Sequence, residues 1–167
     1  MTSIKGNVVY ALQLSIVSGV SYFLGYFLSG FTLPTVAEVG GLWSVISGVL
    51  VIKQHQSESY SAGFGRLLGT LVGCVVSAIC LYIPEMIFAL LLNIFITSLI
   101  CTSIPKLKEL NFQACITSAV IIIIWQLGSK NNEWLFSFSR FIESVAGVSV
   151  AIAVANTSRI WKKIKRS

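Results

Sequence analysis

"RLLGTLVGCVV", Arg66 to Val76, sets a full positive charge directly ahead of an apolar run, with glycine at every fourth position: Gly65, Gly69 and Gly73. Much of the pattern returns in "RFIESVAGVSV", Arg140 to Val150. A helix built from either stretch has almost no polar face to turn toward water. The chain around them has the same character: of 167 residues, 55% are apolar and 11% charged. A soluble domain usually carries about a quarter charged residues. Lipid, not water, is the solvent that this composition fits.

The net charge of +6 does not indicate a nucleic-acid partner. A nucleic-acid binder gathers its basic residues on a water-facing surface. Here they sit in short connectors and in the tail "RIWKKIKRS". Cys74, Cys80, Cys101 and Cys115 all fall inside apolar runs and none forms a CxxC pair, so neither a disulfide framework nor a metal site is expected. No cofactor is expected either. The first apolar run exceeds a signal-peptide core and lacks a following A-x-A site, which makes it a retained membrane helix.

Six candidate spans follow: 8–29, 35–52, 66–83, 86–104, 112–127 and 139–160. Each approaches the roughly 20 residues that cross a ~30 Å hydrocarbon core. Pro34 precedes the second and Pro105 stops the fourth. Pro84 and Glu85 alone join the third to the fourth, an antiparallel hairpin. "KQHQSESYSAGFG" is a polar connector, and no segment is long enough for a soluble domain. With the N-terminus in the cytoplasm, Lys5, Lys53, Arg66, Lys106, Lys108, Arg159, Lys162, Lys163, Lys165 and Arg166 lie inside, against Lys130 and Arg140 outside. The positive-inside rule then puts both termini in the cytoplasm of an inner-membrane protein.

The two arginine stretches align as R-x-x-G-T-x-x-G against R-x-x-E-S-x-x-G. "WSVISGVL" from Trp43 and "ACITSAVI" from Ala114 echo each other more weakly. An all-α fold of two three-helix halves, inserted in opposite directions, is the expectation, with Arg66 opening its span at the inner face and Arg140 at the outer. Such halves commonly enclose a transport path. Alternatively, each arginine merely flanks a helix and snorkels to the headgroups. The small residues Gly65, Gly69, Gly73 and Gly147 read as helix–helix seams, within the monomer or between subunits, since helices in lipid associate by close backbone approach.

"GLWSVISGVLVIKQHQSESYSAGFGRLLGTLVG", Gly41 to Gly73, and "SRFIESVAGVSVAIAVAN" near the C-terminus resemble the membrane domain of the fusaric acid resistance and aromatic acid exporter superfamily. The resemblance implies a six-helix domain that moves organic anions, often aromatic carboxylates, out of the cytoplasm. Many members add a soluble domain or a second membrane half, so a homo-oligomer is expected here.

Arg66 is the first candidate for meeting an anionic substrate, by bidentate hydrogen bonds at a cytoplasmic vestibule. Arg140 and Glu143 are one helical turn apart: either a self-paired couple, or an arginine that guides the anion and an acid that gates or takes a proton. Glu38 either titrates near the outer headgroups or favours its helix N-terminus. His55, beside Lys53, is either a pH sensor or a solvated loop residue. Asn93, Asn156, Gln13 and Gln126 read as interhelical hydrogen bonders. Trp125, Trp134 and Trp161 read as interfacial belt, and Trp43 as a candidate site residue. The leading function is efflux of organic or aromatic carboxylates, with the bilayer and small organic anions as partners. The alternative is a non-transporting subunit of a larger membrane complex. An enzyme is not expected, because no nucleophile–base pair is visible.

Overall fold

The computed structural model describes residues 4–53, 56–127 and 132–164, and no side chain of residues 4–5, 56–57 or 158–164. His55, Lys130, Lys165 and Arg166 therefore lie outside the described residues, as do the side chains of Lys5, Arg159, Trp161, Lys162 and Lys163. The helices are α1 Ile4–Thr32, α2 Ala37–Val51, α3 Gln56–Cys80, α4 Met86–Ser103, α5 Asn111–Leu127 and α6 Glu133–Ile164. All six are long and apolar enough to cross a membrane once the short 3-10 turns Pro34–Val36 and Pro105–Leu110 are joined to α2 and α5. Each turn begins with proline, whose fixed φ suits a first helical position and whose missing N–H costs nothing there.

Two boundaries depart from the expected spans in a way that matters. The third helix does not open at Arg66: it begins ten residues earlier, at Gln56, and ends at Cys80 rather than at residue 83. Most of the polar stretch taken for a connector is thus helix. Hydropathy does not hold it there; tertiary contacts do. Ser59 is buried and accepts a hydrogen bond from the Lys53 backbone N–H at 2.9 Å. Gly63 lies against Val148 and Ile152 of α6, and the Tyr60 hydroxyl donates to Asn156 at 3.0 Å. Likewise α6 starts at Glu133, six residues before the expected 139, with Asn132 capping the Leu135 N–H at 2.9 Å. Both arginines are moved from helix starts into helix interiors.

Helices α3 and α6 form the central antiparallel pair, in contact from Gly63 beside Val148 to Cys74 beside Phe141. α2 runs parallel to α6: Gly40 faces Glu143, and Gly147 packs on Ser44 and Gly48. α5 runs parallel to α3, with Gly69 against Gln113 and Ala114, and Gly73 against Ala114 and Thr117. α1 lies outside α2 and α6, and α4 lies outside α5 and α3. These outer two keep most of their surface on the periphery, where Phe23, Phe27 and Phe31 of α1 and Ile87, Leu91 and Phe95 of α4 are exposed. Every neighbouring pair of α-helices has a counterpart when α1, α2 and α3 are exchanged for α4, α5 and α6.

The glycine seams follow from this arrangement. The two stripes do not face each other; Gly69 and Gly73 admit α5, and Gly147 admits α2. Gly65 sits beside Leu110. Two apolar cores result. One, near the α3–α4 turn, gathers Cys74, Cys80, Ile121, Ile122, Trp125 and Phe136. The other, near the end of α2, gathers Val17, Val51, Ile52, Val148 and Ala151. Trp125 is therefore not a belt residue: it is buried, its ring tilted against Phe136 at 5.3 Å between centroids. Trp134 is exposed.

Outside the central layer, Asn93 ties α4 to its neighbours. Its side-chain amide donates to Ser77 Oγ at 3.2 Å and to the Ser118 carbonyl at 3.0 Å. Interhelical hydrogen bonds of this kind average ~0.6 kcal/mol and reach about 1.7. Asn93→Leu is expected to lower the unfolding temperature in detergent by a few degrees and to leave transport intact; differential scanning fluorimetry checks the first, liposome flux the second.

Candidate functional site

Between the two apolar cores lies a polar layer that lipid-facing helices would not keep without cause. Arg66 is 1% exposed, Arg140 0% and Glu143 1%. Arg66 sits ten residues into α3, roughly 15 Å from its start at 1.5 Å per residue. Arg140 and Glu143 sit seven and ten residues into α6. None of the three sits at a helix end, and all three side chains are buried among the helices.

Around Arg66 three helices contribute. Its Nε donates to Ser47 Oγ of α2 at 3.2 Å, and Nη1 approaches Thr117 Oγ1 of α5 at 3.5 Å. The guanidinium carbon lies 5.3 Å from the centre of the Trp43 ring, a cation–π distance. Arg140 is dressed differently. Its Nη2 forms an ion pair with Glu143 Oε1 at 2.8 Å, and its guanidinium carbon lies 5.1 Å from the Phe136 ring centre. Glu143 Oε1 also accepts a short hydrogen bond from Ser29 of α1.

A chain of hydroxyls links the two arginines. Ser47 Oγ donates to Ser144 Oγ at 3.1 Å, and Ser144 donates to the Arg140 carbonyl at 3.0 Å. The Trp43 indole N–H also donates to Ser144, at 2.9 Å. Cys74 lies within electrostatic reach of Arg66, Arg140 and Glu143 together. The layer therefore unites residues from α1, α2, α3, α5 and α6.

Its charges do not balance. Guanidinium groups stay protonated, so two buried cations face one buried carboxylate. Several donors also lack a hydrogen-bond partner among the described residues: Arg66 Nη2 and Arg140 Nε and Nη1. On the acceptor side, Glu143 Oε2 is likewise unpartnered. Burying unpaired charge in a low-dielectric layer is costly. A carboxylate brought to these donors would offset the excess charge and could bind in the bidentate manner that arginine favours.

Of the residues expected from sequence to form a site, the structure gathers Arg66, Arg140, Glu143 and Trp43 into one cluster. Glu38 stays apart, exposed in the first turn of α2. Ser29, Ser47, Thr117, Ser144 and Phe136 belong to the cluster and were not foreseen. A trace of them was legible: Ser44 and Ser47 stand in the α2 stretch beside Trp43, and Ser144 matches Thr70 in the arginine echo.

The family model described as fusaric acid resistance protein-like matches residues 20–154. That range begins inside α1, ends inside α6 and contains the whole polar layer. Searches of curated proteins and of solved structures each return no match.

Proposed function

Because the chain belongs to the fusaric acid resistance protein-like family, a family of membrane transporters and not of enzymes, we propose that it exports small organic anions, aromatic carboxylates foremost, across the inner membrane. It is a multi-pass membrane protein with six apolar helices. The observation that carries the proposal is the charge imbalance of the buried layer: Arg66 and Arg140 against Glu143 alone, in the middle of the bundle.

The chemistry of the layer suits this cargo. Trp43 and Phe136 flank the two guanidiniums. A flat carboxylate bound at either cation meets an aromatic wall at the same time, and stacking adds to ion pairing. Sub-stoichiometric carboxylate within the protein leaves the cargo to supply the missing negative charge.

The inverted-repeat reading belongs to the same proposal. The sequence echo of Arg66–Gly73 in Arg140–Gly147 and the paired neighbour pattern of the helices support it. Gly73 meets the Ala114 carbonyl of α5 while Gly147 meets the Ser44 carbonyl of α2, an equivalent place in the other half. With both arginines buried within the bundle, the basic residues left to set orientation are Lys5, Lys53, Lys106, Lys108 and the C-terminal group against Lys130 alone. That sharpens the argument for cytoplasmic termini. A homo-oligomer remains part of the proposal, the exposed apolar faces of α1 and α4 being where copies would meet lipid or one another.

Purified protein in liposomes tests the proposal. Benzoate loaded inside should leave faster than from protein-free vesicles, and an excess of a second aromatic carboxylate should slow it. No flux beyond the control would remove the transport reading; flux only with an added membrane partner would return the subunit reading.

A further inference from the structure

Resting on the anion-transport reading, we infer that Glu143 is a tethered carboxylate that occupies Arg140 in place of the cargo, and that a proton entering between α1 and α6 displaces it. The layer is then a two-position path. Arg66 is always available to an anion, and Arg140 only when Glu143 is neutral.

The first support is an asymmetry between otherwise matching helices. Glu143 stands three residues after Arg140, and Gly69 stands three residues after Arg66. One arginine carries its own carboxylate at 2.8 Å; the other has none and rests on hydroxyls and an indole ring. Along the antiparallel pair, the register set by Gly63 beside Val148 and Cys74 beside Phe141 leaves the two arginine backbones well separated in depth, roughly 10 Å apart at the helical rise per residue. An anion leaving Arg66 toward the far side therefore meets Arg140 next, and meets it already paired.

A second, independent support is an opening. A cleft of about 140 Å³ between α1 and α6 is lined by Leu28, Phe31, Thr32, Ser139, Ile142 and Glu143. Phe31 and Thr32 close α1, so the cleft reaches the end of the bundle opposite the α1 start. Glu143 is one of its lining residues, and the second carboxylate oxygen, Oε2, is buried with no hydrogen-bond partner among the described residues. Arg140 and Ser29 both hold Oε1. The carboxylate thus keeps one oxygen for its structural partners and one free for a proton.

The groups that face Glu143 favour a single switch. Arg140 is on its own helix, α3 presents Cys74, α1 presents the Ser29 hydroxyl, and α2 presents the backbone of Gly40. Glu38 of α2 and the acids Glu58, Glu85 and Glu109 are exposed and do not compete for the role. In the step itself, a proton from water at the cleft mouth adds to Oε2. The charge on Glu143 disappears, its hold on Arg140 weakens, and the guanidinium accepts the cargo carboxylate. No other bond is made or broken. Proton entry and anion exit are then opposed movements coupled by competition for one guanidinium.

The experiment is benzoate efflux from liposomes holding the full chain, measured with and without acidification on the side of the cleft mouth. Wild type should accelerate on acidification. Glu143→Gln, which fixes the neutral form, should move benzoate at the accelerated rate at every pH. Ser29→Ala removes a donor that stabilises the carboxylate, so its pH profile should shift to higher pH. It also covers the case in which Glu143→Gln fails to give monodisperse protein. A wild-type pH profile retained in both variants, or a monodisperse Glu143→Gln with no flux, overturns this inference while leaving anion transport standing. Absence of benzoate flux from the wild type and both variants overturns the transport reading, and this inference with it.

Discussion

Gly147→Ala lowers the unfolding temperature in detergent, and Gly147→Leu gives no monodisperse protein. A Cβ at Gly147 would collide with the Ser44 carbonyl oxygen and come within 3.0 Å of the Gly48 nitrogen. Both are backbone atoms of α2, so no side-chain rotation relieves them; the helices must separate. Overpacking of this kind costs about 1–3 kcal/mol for small additions, and in lipid the close approach is itself the main attraction between helices. Separation of α2 from α6 also pulls Trp43 and Ser47 off Ser144. Gly73→Ala should be milder, because the nearest atoms stand at 2.8 Å and two of the three belong to the Thr117 side chain. Gly19→Ala is the control, with nothing within 4 Å. Thermal scans of the purified variants check the order. If Gly147→Ala unfolds with the wild type, the seam is not where the bundle is held.

The helices were legible in the sequence because lipid demands one thing of every span, an unbroken apolar run. The polar layer was legible only in part, because its members obey a different rule. Arg66 looks like a flank when hydropathy is read, since "QSESYSAGFG" ahead of it is polar. The stretch is helical because Ser59 caps the exit of α2 six residues away and Gly63 packs on Val148 and Ile152 of α6, a contact across a long interval of chain. Ser29 stood only as the last residue of the first span, yet its hydroxyl meets Glu143 across 114 residues. What local reading did catch was the repeated arginine with its trailing small residues. The spacing placed a polar group and a close-packing position on one face, whatever the depth of the helix start. It also caught the one difference that the proposed switch uses, Glu143 where the other arginine stretch has Gly69.

Arg66→Met abolishes benzoate efflux while the protein unfolds at or above the wild-type temperature. The two halves of this expectation have separate causes. Arg66 has no ion-pair partner among the described residues, so an apolar side chain of similar volume removes a desolvation cost without orphaning an opposite charge. Ser47 retains its bond to Ser144, so the hydroxyl chain survives. Flux has no such substitute. Losing one buried partner of a hydrogen-bonded charge pair costs about 2–5 kcal/mol in binding, which corresponds to a loss of roughly 1.5 to 3.5 orders of magnitude. Arg66→Lys should fall between: the charge remains, but the fork that reaches Ser47 and Thr117 and lies over Trp43 does not. A residue kept for folding would show the opposite pattern, with lowered unfolding temperature and unchanged flux. Efflux assays and thermal scans on the same preparations separate the two, and wild-type flux in Arg66→Met would return Arg66 to the role of a structural ornament of α3.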